Sequence, residues 1–119
     1  MKNYFDFPSE VAVGMLTEEA ERFLAILKND WTDLADRFEV RSFDDGYTVI
    51  HWREVDWVGS DAREAMDYIY DLGNKKQPAV FLRIQYNDEC GIDCYNWTNY
   101  EGLELAETHM ENLAYIFIH

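Results

Sequence analysis

Phe38-Glu39-Val40-Arg41-Ser42-Phe43, Asp44-Asp45-Gly46 and Tyr47-Thr48-Val49-Ile50-His51-Trp52 follow one another without a gap. The first and last segments have strand composition, the first with a period of two, and Asp-Asp-Gly between them supplies turn chemistry. The stretch predicts a β-hairpin, and so an antiparallel sheet to which the rest of the chain must be fitted.

Upstream of the hairpin, Leu16, Ala20, Phe23, Leu24, Leu27 and Trp31 recur at helical spacing. They predict a helix from about Thr17 to Asn29 with its apolar stripe turned to the core. Thr17 is placed to cap it, and Glu18 and Glu19 sit in the first turn, where the helix dipole favours anions. The helix continues or restarts through Trp31, Leu34 and Ala35. Downstream, Ala62, Ala65, Met66, Ile69 and Leu72 mark a second helix over Asp61 to Leu72, with Ser60 as its expected cap and Gly73 as its stop.

Lys75-Lys76-Gln77-Pro78 then makes a turn into a strand over Val80 to Tyr86. Asn87 to Gly91 reads as a hairpin tip leading to a strand over Ile92 to Trp97. Leu103, Ala106, Met110, Leu113 and Phe117 fit a helix, yet Tyr115 to Ile118 has strand composition, so the end of the chain reads either way; the favoured reading is a helix from about Leu103 to Asn112 followed by a short strand. The expected fold is α+β, an antiparallel sheet of four to five strands with two to three helices packed on it. No repeat, low-complexity tract or linker divides the chain, so residues 1–119 are expected to form a single acidic domain.

Composition narrows the function classes. Apolar residues make up 48% of the chain and aromatics 16%, too much for a disordered acidic tail. Against 24 Asp and Glu stand 10 Lys and Arg, a formal net charge of −14. Charge of that size repels itself in the compact state and exceeds the roughly 2–8 that solubility asks of a small domain. It also opposes direct binding to nucleic acid or to an anionic membrane, both of which require a basic footprint. No stretch approaches the roughly twenty apolar residues of a membrane span. Met1 to Gly14 has one Lys and is interrupted by Asp6, Pro8 and Glu10, unlike a signal peptide. Two cysteines do not make a disulfide scaffold, and the cytoplasm is the expected compartment.

Catalytic and metal motifs are absent from the sequence. There is no G-x-S-x-G, no phosphate-binding glycine loop and no H-E-x-x-H. Carboxylates are so frequent that no pair stands out as acid and base. Cys90 and Cys94, at C-x3-C spacing, together with His51, His109 and His119, lack the paired ligand spacing of a structural zinc site. No catalytic, cofactor-binding or metal-ligating residue is assigned, and no cofactor is expected.

Two acidic patterns remain. Glu64, Asp67 and Asp71, at i, i+3 and i+7, fall opposite the apolar stripe of the second helix and form one row of like charge, with Arg63 at its edge. After Arg83 there is no further Lys or Arg, while Asp88, Glu89, Asp93, Glu101, Glu104, Glu107 and Glu111 follow, interleaved with Tyr86, Tyr95, Trp97 and Tyr100. Acids steer a basic partner and rings give rigid contact area. The stretch Tyr47 to Trp57 is similarly dense, although a domain of this size needs at least two of its four tryptophans in the core.

The candidate partner-binding residues are therefore Glu64, Asp67, Asp71, Asp88, Glu89, Asp93, Glu101 and Glu104. Three residues of helix rise about 4.5 Å, against about 3.4 Å between phosphates along one DNA strand. In size and charge, though in no motif, the chain resembles phage proteins that block restriction or CRISPR complexes. That resemblance implies an inhibitor, phage or prophage encoded, that occupies the basic cleft of a nucleic-acid-binding protein or nuclease. Two other readings fit the same residues: an immunity protein that neutralises a toxin nuclease, and an accessory domain that is acidic for solubility alone. The oligomeric state is not legible.

Overall fold

The computed structural model describes residues 9–87 and 91–110, with residues 86, 87 and 91–94 described at the backbone only. The expected α+β fold is what it shows. Strand β1 (Ser9–Leu16) leads directly into helix α1 (Thr17–Asn29). Strands β2 (Phe38–Ser42) and β3 (Tyr47–Val55) form the predicted hairpin. Helix α2 (Gly59–Asn74), strands β4 (Ala79–Asn87) and β5 (Gly91–Thr98) and a short helix α3 (Leu103–Leu105) complete the order. The five strands are antiparallel throughout, in the order β2-β3-β1-β4-β5.

The centre of this sheet is the strand that the sequence reading passed over. β1 is buried along nearly its whole length, because helices cover both faces of the sheet, so its apolar residues do not alternate with polar ones. Val11, Val13 and Met15 join Phe23, Leu27, Ile50, Trp52, Ala65, Ile69 and Phe81 in the larger core, between the sheet and α1 and α2. Ala12, on the other side of the same strand, joins Val49, Val80, Leu82 and Ile84 beneath Leu105 and Met110. Gly14 lies in that second face, where a Cβ would collide with the side chain of Leu105. Glycine here lets α3 sit directly on the sheet.

Three local expectations are corrected. Thr17 does not cap α1: the N-cap position is Leu16, with no side-chain cap bond. β1 passes into α1 without a loop, which keeps the Thr17 hydroxyl beside β3, 2.9 Å from the Thr48 hydroxyl. Nor does Ser60 cap α2. The left-handed backbone of Gly59 (φ 88°) turns the chain one residue earlier, after an extended Val58. Gly73 does not stop α2; it lies within the last turn, where its missing side chain leaves room for the Trp97 ring. Lys76, at φ 57°, supplies the left-handed residue after the helix instead.

The restart after α1 is a single 3₁₀ turn over Thr32–Leu34. The predicted C-terminal helix is observed as α3 running into a π-helical turn over Ala106–Met110. Its remainder and the expected strand at Tyr115 to Ile118 lie outside the described residues. Trp31, Trp52 and Trp57 are buried, so three of the four tryptophans serve the core. No helix among the described residues is long and apolar enough to cross a membrane.

Candidate functional site

The two long helices lie side by side on one face of the sheet, and their outer surface gathers much of the negative charge. Within α2, Glu64, Asp67 and Asp71 are all exposed, as the helical spacing predicts. What the sequence could not supply is the neighbour. The Trp31 indole Nε1 donates to Glu64 Oε2 at 2.9 Å, the backbone N–H of Asp33 donates to Asp61 Oδ2 at 3.1 Å, and the Tyr68 hydroxyl donates to Glu19 Oε2 at 3.0 Å. Acids of α1, of the following 3₁₀ turn and of α2 thus share one seam. Tyr68 feels them: burial first, then its hydrogen bond to Glu19 and the charge of that carboxylate, push its phenol up to about 12.

Positive charge in this layer is partly consumed locally. Arg22 pairs with Glu19 at 2.8 Å and Lys75 with Asp71 at 3.2 Å. Glu18, Glu21, Glu64 and Asp67 make no ion pair among the described residues and face solvent. The row on α2 is therefore not uniform. Asp71 is partly neutralised and Glu64 is oriented by Trp31, which leaves Asp67 as its least committed member.

The other candidates are not brought to this seam. Glu101 and Glu104 belong to the 3₁₀ turn Tyr100–Gly102 and to α3, on the opposite face of the sheet from α2. Glu104 is exposed there, with its charge near Tyr47. The backbone of Asp93 lies in β5 opposite Gln85, while Asp88 and Glu89 lie outside the described residues. The candidate acids whose side chains are described, Glu64, Asp67, Asp71, Glu101 and Glu104, thus do not form one surface. Of the interleaved aromatics, Tyr100 is 83% and Tyr95 50% exposed, whereas Trp97 packs edge-on against Tyr70.

Sequence reasoning missed a cleft on the α2 side of the sheet. Its volume is about 380 Å³, and it lies between Met66 and Tyr70 of α2, Trp57 ahead of that helix, and Phe81, Arg83, Gln85 and Tyr95 on the strands. The Tyr70 and Tyr95 hydroxyls are 3.4 Å apart, and that contact, with burial second, pushes Tyr70 up to about 12. Arg83 is half-buried, and desolvation lowers its pKa from the ordinary arginine value. A signal existed. On β4 a period of two puts Arg83 on the same face as Phe81, so a base stands on a core-facing row.

Two histidine–carboxylate contacts were also not anticipated. His51 Nε2 lies 3.2 Å from Glu10 Oε2 across β1 and β3. His109 Nε2 lies 2.7 Å from Asp45 Oδ2, with its ring stacked on Phe43 at 3.8 Å, and that hydrogen bond lowers the Asp45 pKa. The His109 contacts tie the hairpin turn to the segment after α3, and the His51 contact joins β3 to β1. Among the described residues no three or more His, Cys, Asp or Glu side chains gather to hold a metal ion. Cys90 and His119 lie outside those residues, and Cys94 is described at its backbone only.

By fold and surface the chain is an acidic α+β protein with helices on both faces of an antiparallel sheet. No protein-family model, curated protein or solved structure matches it.

Proposed function

We propose that this protein is a non-catalytic inhibitor that binds a basic, nucleic-acid-binding protein or nuclease by presenting carboxylates in place of phosphates. The supporting observation is the seam between α1 and α2, where acids from separate parts of the chain share one outer surface and Glu18, Glu21, Glu64 and Asp67 form no ion pair among the described residues. Opposite potentials speed encounter and hold a basic cleft closed to its own ligand. The cytoplasm, where nucleic-acid machinery works, is the compartment this role requires. Glu101 and Glu104 serve as a second, smaller contact on the far side of the sheet, or contribute only to the general field.

The immunity-protein alternative is favoured by a different observation. Tyr100 and Leu103 are exposed beside Glu101 and Glu104, an aromatic and aliphatic patch suited to a narrow hot spot. The two roles call for different variants. Lysine at positions 64, 67 and 71 should lower capture of a basic partner from the native host about tenfold or more at low salt. Tyr100→Ala with Leu103→Ala should leave that capture unchanged. Recovery of no basic or nucleic-acid-binding protein by the unaltered chain would refute the inhibitor role. Loss of capture only in the Tyr100 and Leu103 variant would transfer the site to the patch.

A further inference from the structure

A half-buried base that pairs with no acid among the described residues is the least expected feature of a chain in which acids outnumber bases 24 to 10. The Arg83 Nε donates to Ser9 Oγ at 3.1 Å and its Nη2 to Gln85 Oε1 at 3.1 Å, both neutral acceptors. No carboxylate pairs with Arg83 among the described residues, and those two bonds leave other N–H donors of its five without an acceptor there. Removing a charge from water is costly unless a counter-charge meets it. Ser9 and Gln85 fix the guanidinium plane in advance, and a fixed fork is the geometry that takes a carboxylate through two parallel hydrogen bonds.

The rest of the cleft states what the anion must carry. Trp57, Phe81 and Tyr95 present ring surfaces and Met66 an adaptable apolar one. A volume of about 380 Å³ falls at the small end of ligand pockets, room for one or two fused rings. Net charge decides against larger anions. A polyanion would meet the whole field of a −14 chain, whereas a single carboxylate seated on Arg83 is screened from charges beyond about 10 Å in ordinary salt.

We propose that this cleft binds a small organic acid with a planar aromatic body, its carboxylate on Arg83 and its ring among Trp57, Phe81 and Tyr95. The site is independent of the inhibitor role and stands or falls without it. Indole-3-carboxylate and its neutral amide, titrated separately into the full chain, provide the test, followed by NMR at the Trp57 indole N–H. The acid is expected to saturate at about 1 mM or below and the amide to bind at least about tenfold more weakly. Arg83→Met should abolish the difference between them. Equal binding of acid and amide, absence of saturation by the acid, or an unchanged preference in the Arg83→Met chain would overturn the assignment. The comparison in the unaltered chain decides even if that variant does not fold.

Discussion

Tyr68 and Glu19 are 49 residues apart in sequence, and nothing in either neighbourhood announces that they meet. The helical stripe says which way α2 turns but not which residue of α1 it will face. This contact fixes a pH dependence. The phenol titrates at about 12 in the folded chain against an ordinary 10.0, so above pH 10 the unfolded chain releases its proton first. The stabilisation from this group is complete below pH 10 and is lost as pH rises through about 12. Urea unfolding monitored from pH 9 upward should show that decline, with phenolate absorbance of the native chain lagging behind that of the unfolded chain. Tyr68→Phe should flatten part of the decline and cost about 1 kcal/mol at neutral pH, the value of one partly buried hydrogen bond. An alkaline limb identical in the variant would show that the Tyr68 phenol is not held neutral by this site.

The hairpin and the long helices were legible because each keeps a face wet, whereas β4, buried on both faces, was read from its run of strand-forming residues. The β2–β3 hairpin has the edge strand β2, mostly exposed, and its turn residues read correctly. Both long helices have a single buried stripe and were found nearly to their ends; the caps were missed because backbone turns at Leu16 and Gly59 replaced side-chain capping. β1 was invisible for the opposite reason, since α1, α2 and α3 between them remove water from both of its faces. A double-mutant cycle tests that second layer. Gly14→Ala introduces a methyl against Leu105 and should destabilise by about 1–3 kcal/mol, while Leu105→Ala opens a cavity costing about 2–5 kcal/mol. The double variant replaces part of the lost volume and relieves the clash, so its cost should fall below the sum of the two by at least about 1 kcal/mol. Additive costs would place α3 away from Gly14.

Across the whole molecule the candidate site was half legible. Sequence spacing located the row on α2, but only the fold could show that Glu101 and Glu104 lie behind the sheet from it and that Trp31 and Lys75 engage two of its three members. Net charge then has two consequences of opposite sign. Within the chain, salt weakens repulsion among unpaired acids and also weakens pairs such as Arg22–Glu19, Arg53–Glu39 and Lys75–Asp71. Apart from Glu19, the partners in those pairs are largely exposed, and exposed pairs are worth about 0–1 kcal/mol each, whereas a charge of −14 is unbalanced over the full surface. Repulsion should therefore dominate. Raising NaCl from about 0.01 M to 0.1 M shortens the screening length from about 30 Å to 10 Å and should stabilise the free chain by on the order of 1 kcal/mol in urea unfolding. The same change should slow association with a basic partner about tenfold or more. In the chain with lysine at 64, 67 and 71 both salt effects should shrink together, because one set of carboxylates produces both. Stability that falls with salt in the unaltered chain would mean that the ion pairs dominate, and the acidic surface would then be balanced rather than poised for a partner.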